Sequence, residues 1–328
     1  MWVQAVAQPN IALIKYWGKR DRARNLPATG SLSLTLDTLW TRMSVEFRAS
    51  SGADTLLVNG ARSASMLPRV SSCLDRIAGT PRPPAAVSSE SNFPIAAGLA
   101  SSSSAFAALT LAASRARGLP QDDASLVRFA GAASGSAARS ICGGIVELQV
   151  DDHAIDVRCI AAAGVWPLKV VVAITDEGEK PLASGEAMNR SAATSPFYRS
   201  WVEHQDADLT TARQAVENKD FEKLAAVAEH NCLKMHSVMW SSKPAIVYWK
   251  EATVNCMETV RELQRRGMAV FFTIDAGPQV KAVCLPEAGE AVAAALSQTP
   301  GVTRVLVSGL GKGARLLPAG TGSPAPVS

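Results

Sequence analysis

The chain has 328 residues, 47% hydrophobic and 19% charged, with a net charge of +4. That length buries a substantial core and favours two domains over one. A charge so slight, without a Lys/Arg cluster interleaved with aromatics, excludes nucleic acid as the natural partner and suits anionic small molecules. No apolar run reaches membrane-spanning length, and residues 1–10 lack a basic segment followed by an apolar one. The expectation is a cytoplasmic protein without signal peptide or membrane partner. The six cysteines, at 73, 142, 159, 232, 256 and 284, form no Cys-x-x-Cys and read as reduced. The four histidines show no zinc spacing, so a metal ion would arrive as Mg2+ with a nucleotide.

In chain order, alternation predicts strands over 32–36 and 41–47, and Asn59-Gly60 marks a hairpin after a strand at 55–58. A helix over 67–78 is closed off by the prolines of 81–84. A strand at 85–89 enters a loop of small residues, followed by helices over 104–116 and 122–133 and a strand over 143–150. Trp166-Pro167 precedes an apolar strand at 168–174, and a domain boundary is expected there. Helices are expected over 203–217, 219–235 and 246–266, the last with Val254, Met257, Val260 and Leu263 on one face and Gly267 as its stop. Then come strands at 270–274 and 280–285, a helix at 287–298 and a strand at 302–307. This helix-strand-strand-helix-strand order fits helices on one face of an antiparallel sheet. The stretch 309–313 reads as a glycine-rich turn and the tail 318–328 as disordered, which gives domains 1–166 and 167–317.

Four segments carry chemistry. Asn92-Phe93-Pro94-Ile95-Ala96-Ala97-Gly98-Leu99-Ala100-Ser101-Ser102-Ser103-Ser104 leads into helix-forming sequence. Small residues let backbone N–H groups approach an anion, a helix starting there adds its positive end, and four serines supply hydroxyls. The loop lacks a Gly-Lys-Ser/Thr ending, so the lysine that neutralises phosphate must come from elsewhere. Asn10-Ile11-Ala12-Leu13-Ile14-Lys15-Tyr16-Trp17-Gly18-Lys19-Arg20 sets two lysines four apart, either beside one pocket or solvated at a strand end. Ser134-Gly135-Ser136-Ala137-Ala138-Arg139-Ser140 surrounds one arginine with small hydroxyl residues, which suits a bidentate hold on a carboxylate or phosphate. In Thr273-Ile274-Asp275-Ala276-Gly277-Pro278 an acid ends an apolar strand, as a turn cap or as a general base. Together these supply what phosphoryl transfer to a small anionic alcohol requires: a cradle for ATP, cations for the acceptor and a carboxylate for its hydroxyl.

At these residues, and over nearly its whole length to about Leu317, the chain resembles the mevalonate diphosphate decarboxylases of the GHMP kinase superfamily. The resemblance implies a two-domain α+β fold, the first domain like ribosomal protein S5 domain 2 and the second a ferredoxin-like layer, with the active site in the cleft between them. It implies ATP-dependent decarboxylation of mevalonate 5-diphosphate to isopentenyl diphosphate, with ATP and Mg2+, in a homodimer. Asp275, Lys15 and Arg139 would be catalytic. Asn10, Tyr16, Lys19, Arg69, Ser134, Ser136, Ser184 and Met188 would line the substrate. Asn92, Gly98, Leu99, Ala100, Ser101 and Ser102 would hold ATP, with Mg2+ carried by the nucleotide and touching Ser102. A 3-kinase that stops before decarboxylation, or a non-catalytic sensor on this fold, is disfavoured by the retained lysine, arginine and aspartate.

One segment departs from the pattern. In Lys180-Pro181-Leu182-Ala183-Ser184-Gly185-Glu186-Ala187-Met188, bacterial relatives often carry Ser-Ser-Arg where this chain has Ala183-Ser184-Gly185. The missing arginine and the added Glu186 weigh against a second phosphate, while Arg69 compensates, and mevalonate 5-phosphate stays open as the substrate.

Overall fold

A computed structural model describes residues 2–49, 52–93, 100–178 and 182–318. The first half runs β1 (Val3–Ala7), β2 (Asn10–Ile14), β3 (Lys19–Asp21), β4 (Leu26–Pro27), β5 (Ser31–Thr35), β6 (Thr41–Phe47), β7 (Thr55–Val58), β8 (Ala61–Arg62), α1 (Leu67–Ala78), β9 (Ala85–Ser91), α2 (Ser101–Ala116), α3 (Asp123–Ala133), a 3-10 turn (Ala138–Ser140), β10 (Ile145–Val150) and β11 (Ile155–Ala161). The second runs β12 (Lys169–Ile174), α4 (Ser184–Thr194), α5 (Tyr198–Glu217), α6 (Phe221–Trp240), α7 (Glu251–Arg265), β13 (Val270–Ile274), β14 (Val280–Cys284), α8 (Gly289–Ser297), β15 (Arg304–Ser308) and β16 (Arg315–Leu316).

In the first half, one sheet has the order β16-β1-β6-β9-β7-β8 and a second the order β11-β10-β5-β2. Helix α2 lies against β1 and β6. Ala107, Ala108, Ala112, Ala113, both leucines and Phe106 are buried around the helix, which explains a run that is apolar all round rather than striped. In the second half the order β13-β14-β12-β15, antiparallel throughout, is that of a split βαβ layer, so the ferredoxin-like expectation holds.

The layer is covered on both faces rather than one. Along β12, Val171 and Ala173 join the cluster of Val260 and Leu263 from α7 and Val292 and Leu296 from α8. Val170, Val172 and Ile174 join the opposite cluster, with Leu209 and Ala212 of α5, Leu224 and Ala228 of α6, and Ile11, Leu13, Leu32 and Leu34 of β2 and β5. A strand buried on both faces reads as a continuous apolar run, as Val170-Val171-Val172-Ala173-Ile174 does. The two halves therefore share one core, and the polar residues at the ends of β2, β5 and β13 meet along their seam.

Several boundaries move for physical reasons. Helix α6 continues past 235 to Trp240 because Val238 and Met239 are also buried. The helix expected from 246 begins at Glu251; Ile246 and Tyr248 point inward and Val247 outward, the alternation of extended chain, and the Tyr248 hydroxyl donates to Leu182 O at 2.9 Å. Helix α4, unforeseen, buries only Ala187, Met188 and Ser191, too few apolar positions to announce a helix. The stretch 309–313 is no turn. It runs back against the first half: Gly311 N–H donates to Thr35 O at 2.7 Å, Gly311 O accepts from Gly144 N–H at 2.8 Å, and Lys312 N–H donates to Gln8 Oε1 at 2.6 Å. It delivers β16 to the edge of β1, where Leu316 pairs with Ala5.

Candidate active site

The site is built where β2 breaks. The β2–β5 register shifts between Ala12 and Ile14, a bulge at Leu13, and β2 ends at Ile14, so Lys15 lies just beyond the sheet and its side chain turns back toward Ala12. Lys15 is 1% exposed, and its Nζ donates to Ala12 O at 2.8 Å and to Asp275 Oδ1 at 2.7 Å. Asp275 follows β13, and the register of β13 with β14 sets Lys281 opposite Thr273. Lys281, also 1% exposed, has its Nζ 3.3 Å from Asp275 Oδ2. The carboxylate thus lies between two buried ammonium groups and is itself 23% open. Burial by itself would raise the Asp275 pKa; Lys15 and then Lys281 outweigh it and hold the group well below the ordinary carboxylate range. Asp275 is a carboxylate throughout the physiological range, a fixed acceptor for a hydroxyl.

Arg139, 2% exposed, sits in the 3-10 turn after the serine loop. Its Nε donates to Ser33 Oγ at 3.0 Å, Nη1 to Ser31 Oγ at 2.5 Å and Nη2 to Asn10 Oδ1 at 3.3 Å. Asn10 Nδ2 donates in turn to Ser136 O at 3.0 Å and Ser140 Oγ at 2.7 Å. The guanidinium is fixed in plane by three acceptors on two strands. Burial lowers its pKa to about 10, with Asp275 and Tyr16 pulling the other way, so it stays cationic.

Tyr16 lies against the serine loop: a Cβ on Gly135 would come within 2.7 Å of its ring, so the loop needs glycine there. Burial raises the Tyr16 phenol to about 12, which keeps it a hydrogen-bond donor. Gly18, at φ +114°, answers two demands; the conformation favours glycine, and a Cβ would collide with the Tyr198 hydroxyl of α5. Ser134 Oγ stands 3.4 Å from Ser136 Oγ and 3.5 Å from Ser102 Oγ, joining the substrate loop to the head of α2.

At the other end of the groove, Lys19 Nζ is 3.8 Å from where a Cβ on Gly185 would stand, beside the start of α4, whose first residue is Ser184. Burial, then Arg69 and Arg22, lower the Lys19 pKa, so three cations share this end. Arg69 donates to Ala133 O at 3.1 Å and stacks over Phe106 at 4.4 Å. Glu186 pairs with Arg190 at 3.2 Å across one helical turn, so its charge is compensated rather than aimed at the groove. Met188 is 8% exposed within the apolar cluster of Trp17, Ala187 and Trp201, with Tyr16 packed against it; it serves the wall and has only an edge to offer a ligand.

The nucleotide side is split by burial. Of the four serines, Ser103 donates to Ala100 O at 2.7 Å and Ser104 to Ser101 O at 3.2 Å, and both are buried. Ser101 and Ser102 are half-buried at the start of α2, behind Ala100 at φ +55°. Asn92 accepts from Trp40 N–H and donates to Thr38 O, each at 2.8 Å, which fixes its exposed amide and leaves one N–H and one lone pair for a ligand. Gly98 and Leu99 lie outside the described residues, as do Lys180 and Pro181. Among the described residues no group of three or more His, Cys, Asp or Glu side chains gathers as a metal site.

Two features were not anticipated. Lys281 was visible in principle as a lone charge in the apolar run Val280-Lys281-Ala282-Val283-Cys284, since a buried strand keeps a charge only beside a partner. Ser31 and Ser33 were visible as alternate polar residues on a strand that is buried throughout.

This two-part α+β frame, with a helix headed by serines in the first half and a caged carboxylate in the second, is that of the GHMP kinase-like fold. The family model described as "Diphosphomevalonate decarboxylase-like N-terminal domain" matches residues 7–161, and that described as "Mevalonate 5-diphosphate decarboxylase C-terminal domain" matches residues 170–308. The diphosphomevalonate decarboxylase of Candida albicans is 33% identical over 307 residues, spanning 85% of this chain and 83% of its own. The crystal structure of mevalonate diphosphate decarboxylase from Staphylococcus aureus superposes with TM-score 0.90 at 32% identity, covering 97% of this chain and 98% of that one. A solved structure described as MDDEF in complex with MVAPP, AMPPCP and magnesium superposes with TM-score 0.90 at 33% identity, over 97% and 99% of the two chains. The chain belongs to the mevalonate diphosphate decarboxylase family.

Proposed function

We propose that this protein is an enzyme that uses ATP and Mg2+ to decarboxylate mevalonate 5-diphosphate, giving isopentenyl diphosphate, CO2, ADP and phosphate. The observation that carries the reading is Asp275, a carboxylate caged by Lys15 and Lys281 on the seam between the halves. The diphosphomevalonate decarboxylase relatives and the magnesium complex with MVAPP and AMPPCP support it.

In this reading Asp275 accepts a hydrogen bond from the 3-hydroxyl and orients its oxygen toward the γ-phosphorus of ATP. As that O–P bond forms and the bond to ADP breaks, the hydroxyl proton passes to Asp275, and Lys15 balances the negative charge on the reacting oxygen. A carboxylate held so far below its usual range is a weak base, so its main contribution is orientation and charge, with proton transfer late. Arg139, fixed by Ser31, Ser33 and Asn10, faces the substrate carboxylate with its remaining N–H groups. Phosphate then leaves from the tertiary carbon, the C–C bond to the carboxylate breaks, and its electron pair becomes the alkene. No electron-sink cofactor is required.

The hydroxyls of Ser101 and Ser102 and the head of α2 suit the ATP phosphates, and Ser102 suits their Mg2+, which neutralises phosphate charge when bound. Tyr16, Lys19, Arg69 and Ser184 take the phosphate end, and Ser134 and Ser136 shape the middle. The pairing of Glu186 with Arg190 removes one objection to a second phosphate and favours the diphosphate over the monophosphate. Asp275 comes from the second domain, 167–317 apart from the returning segment that ends in β16 and joins the sheet of the first, and most substrate contacts come from the first, 1–166. Family resemblance supports a cytoplasmic homodimer; none of the described helices is long and apolar enough to cross a membrane, and the six cysteines are unpaired.

The test is incubation with ATP, Mg2+ and either mevalonate 5-diphosphate or mevalonate 5-phosphate, following ADP and CO2 together. We expect both products in equal amounts and a higher kcat/KM for the diphosphate. ADP without CO2 makes the protein a 3-kinase, and equal or better turnover of the monophosphate reassigns the substrate.

A further inference from the structure

Leaving the sheet costs Lys15 its ladder partners, yet it is buried, and buried main-chain N–H and C=O groups must be paired. Two side chains from the other half of the chain pair both of them. Lys15 N–H donates to Asn231 Oδ1 of α6 at 2.8 Å, and Lys15 O accepts from Gln205 Nε2 of α5 at 3.0 Å. The two amides are also joined: Asn231 Nδ2 donates to Gln205 Oε1 at 2.6 Å and to Asp208 Oδ2 at 2.6 Å. Asp208 is held in turn by the Lys234 ammonium. Asn231 and Gln205 are 0% and 1% exposed.

Each donor in this chain has one consistent direction. The Lys15 N–H accepts nothing, so it must meet an amide oxygen; the Asp208 carboxylate donates nothing, so it must meet the amide nitrogen. Both amides are thereby fixed in orientation, and together they read the two main-chain groups of one residue. We infer that Asn231 and Gln205 are positioning residues that set the Lys15 backbone, and through it the reach of the Lys15 ammonium to Asp275. They touch neither reactant. The inference names a control over the lysine used in the proposed reaction, and to that extent rests on that reading.

The geometry explains why a side chain is used here. A β-ladder would fix the Lys15 backbone in register with β5 and stand its side chain on one face of the sheet; with β2 ending at Ile14 the lysine is free to turn toward Asp275, and the amide pair replaces the lost constraint. Because the clamp comes from α5 and α6 while Asp275 follows β13, the lysine and the carboxylate are set by different elements of the second half.

The test uses the full chain carrying Asn231→Ala or Gln205→Ala. With ATP, Mg2+ and mevalonate 5-diphosphate we expect kcat to fall about 10- to 100-fold while the KM for ATP changes less than about threefold, as for a displaced catalytic group. A second readout needs no activity: labelling of Lys15 by an amine-reactive ester, followed by peptide mass spectrometry, with Lys281 as the equally buried internal reference. Lys15 labelling should rise at least about tenfold relative to Lys281, whereas general loosening moves both together. Parent kcat in a folded variant overturns the inference, and so does a fall in kcat with Lys15 labelling unchanged. Gln205→Ala decides if Asn231→Ala does not fold. If the parent itself turns over neither mevalonate phosphate, the proposed reaction fails, and the labelling still decides whether the amide pair holds Lys15.

Discussion

At the scale of single residues, the active centre is a balance of charges in a nearly dry place. Asp275, between Lys15 and Lys281, is one anion held by two cations, and the Arg139 guanidinium adds to its surroundings. Desolvation disfavours every one of these charges, and each is kept by its partners. Asp275→Asn keeps the shape and removes both the charge and the acceptor for the proton. It also leaves two ammonium groups facing a neutral amide. We expect kcat to fall by at least about 10³-fold with a modest change in KM, measured by ADP release in steady state. Near-parental turnover in folded Asp275→Asn protein would remove Asp275 from the reaction.

At the scale of elements, each functional group is placed by the end of a strand or the start of a helix. The end of β2, just past its bulge, turns Lys15, the end of β13 presents Asp275, and the head of α2 presents Ser101 and Ser102. The start of α4 is the element where this chain differs from the Ser-Ser-Arg pattern, and its geometry makes the consequence testable. With Lys19 Nζ 3.8 Å from the Cβ position of Gly185, Gly185→Arg would place a second cation at the phosphate end. A charge-assisted hydrogen bond is worth about 1.5–3 kcal/mol, or about 10- to 150-fold. We expect Gly185→Arg to raise the preference for diphosphate over monophosphate in kcat/KM by at least about tenfold, chiefly through KM. An unchanged ratio would mean that Lys19, Arg22 and Arg69 already saturate the terminal phosphate, or that it binds elsewhere.

At the scale of the whole molecule, the shared core under the seam makes the protein sensitive to acid. His236 of α6 is fully buried near Lys15 and Lys281, with Nε2 3.2 Å from both Trp249 Nε1 and Ile274 O. Burial, then the Lys15 charge, lowers its pKa from 6.5 to about 3, so the folded protein keeps it neutral. Between about pH 6.5 and 3 the unfolded chain binds a proton there that the folded chain does not, so stability falls as pH falls through that window. At pH 5 the loss from this one group is about 2 kcal/mol, from about 1.4 kcal/mol per unit over 1.5 units. Asp275 acts with the same sign in a lower window: its depressed pKa contributes stability that is present above about pH 4 and is lost as pH falls further. Denaturant titrations at pH 7 and pH 5 should show the parent losing stability, and His236→Gln losing about 2 kcal/mol less. Equal losses in the two proteins would assign the acid sensitivity to other groups.

Local order was legible from neighbours in the chain. The helix at Leu67–Ala78 and the strands at Thr41–Phe47 and Val270–Ile274 are set by periodicity and by the Pro and Gly residues that punctuate them, information held within a few residues. The motifs around Lys15, Arg139 and Asp275 were legible too, through their resemblance to the family, because phosphoryl-transfer chemistry restricts which residue types can stand there. What required the fold was partnership across long separations. Lys281 gains a role only when β13–β14 pairing sets it opposite Thr273; Asn231 and Gln205 reach Lys15 from 216 and 190 residues away. The stretch 309–313 looked like a turn because nothing near it in sequence reveals that its backbone hydrogen-bonds to Thr35 and Gly144. Propensity is a property of short windows, whereas the pairing of a buried polar group is decided by whatever the packed chain brings within 3 Å, and that is a property of topology.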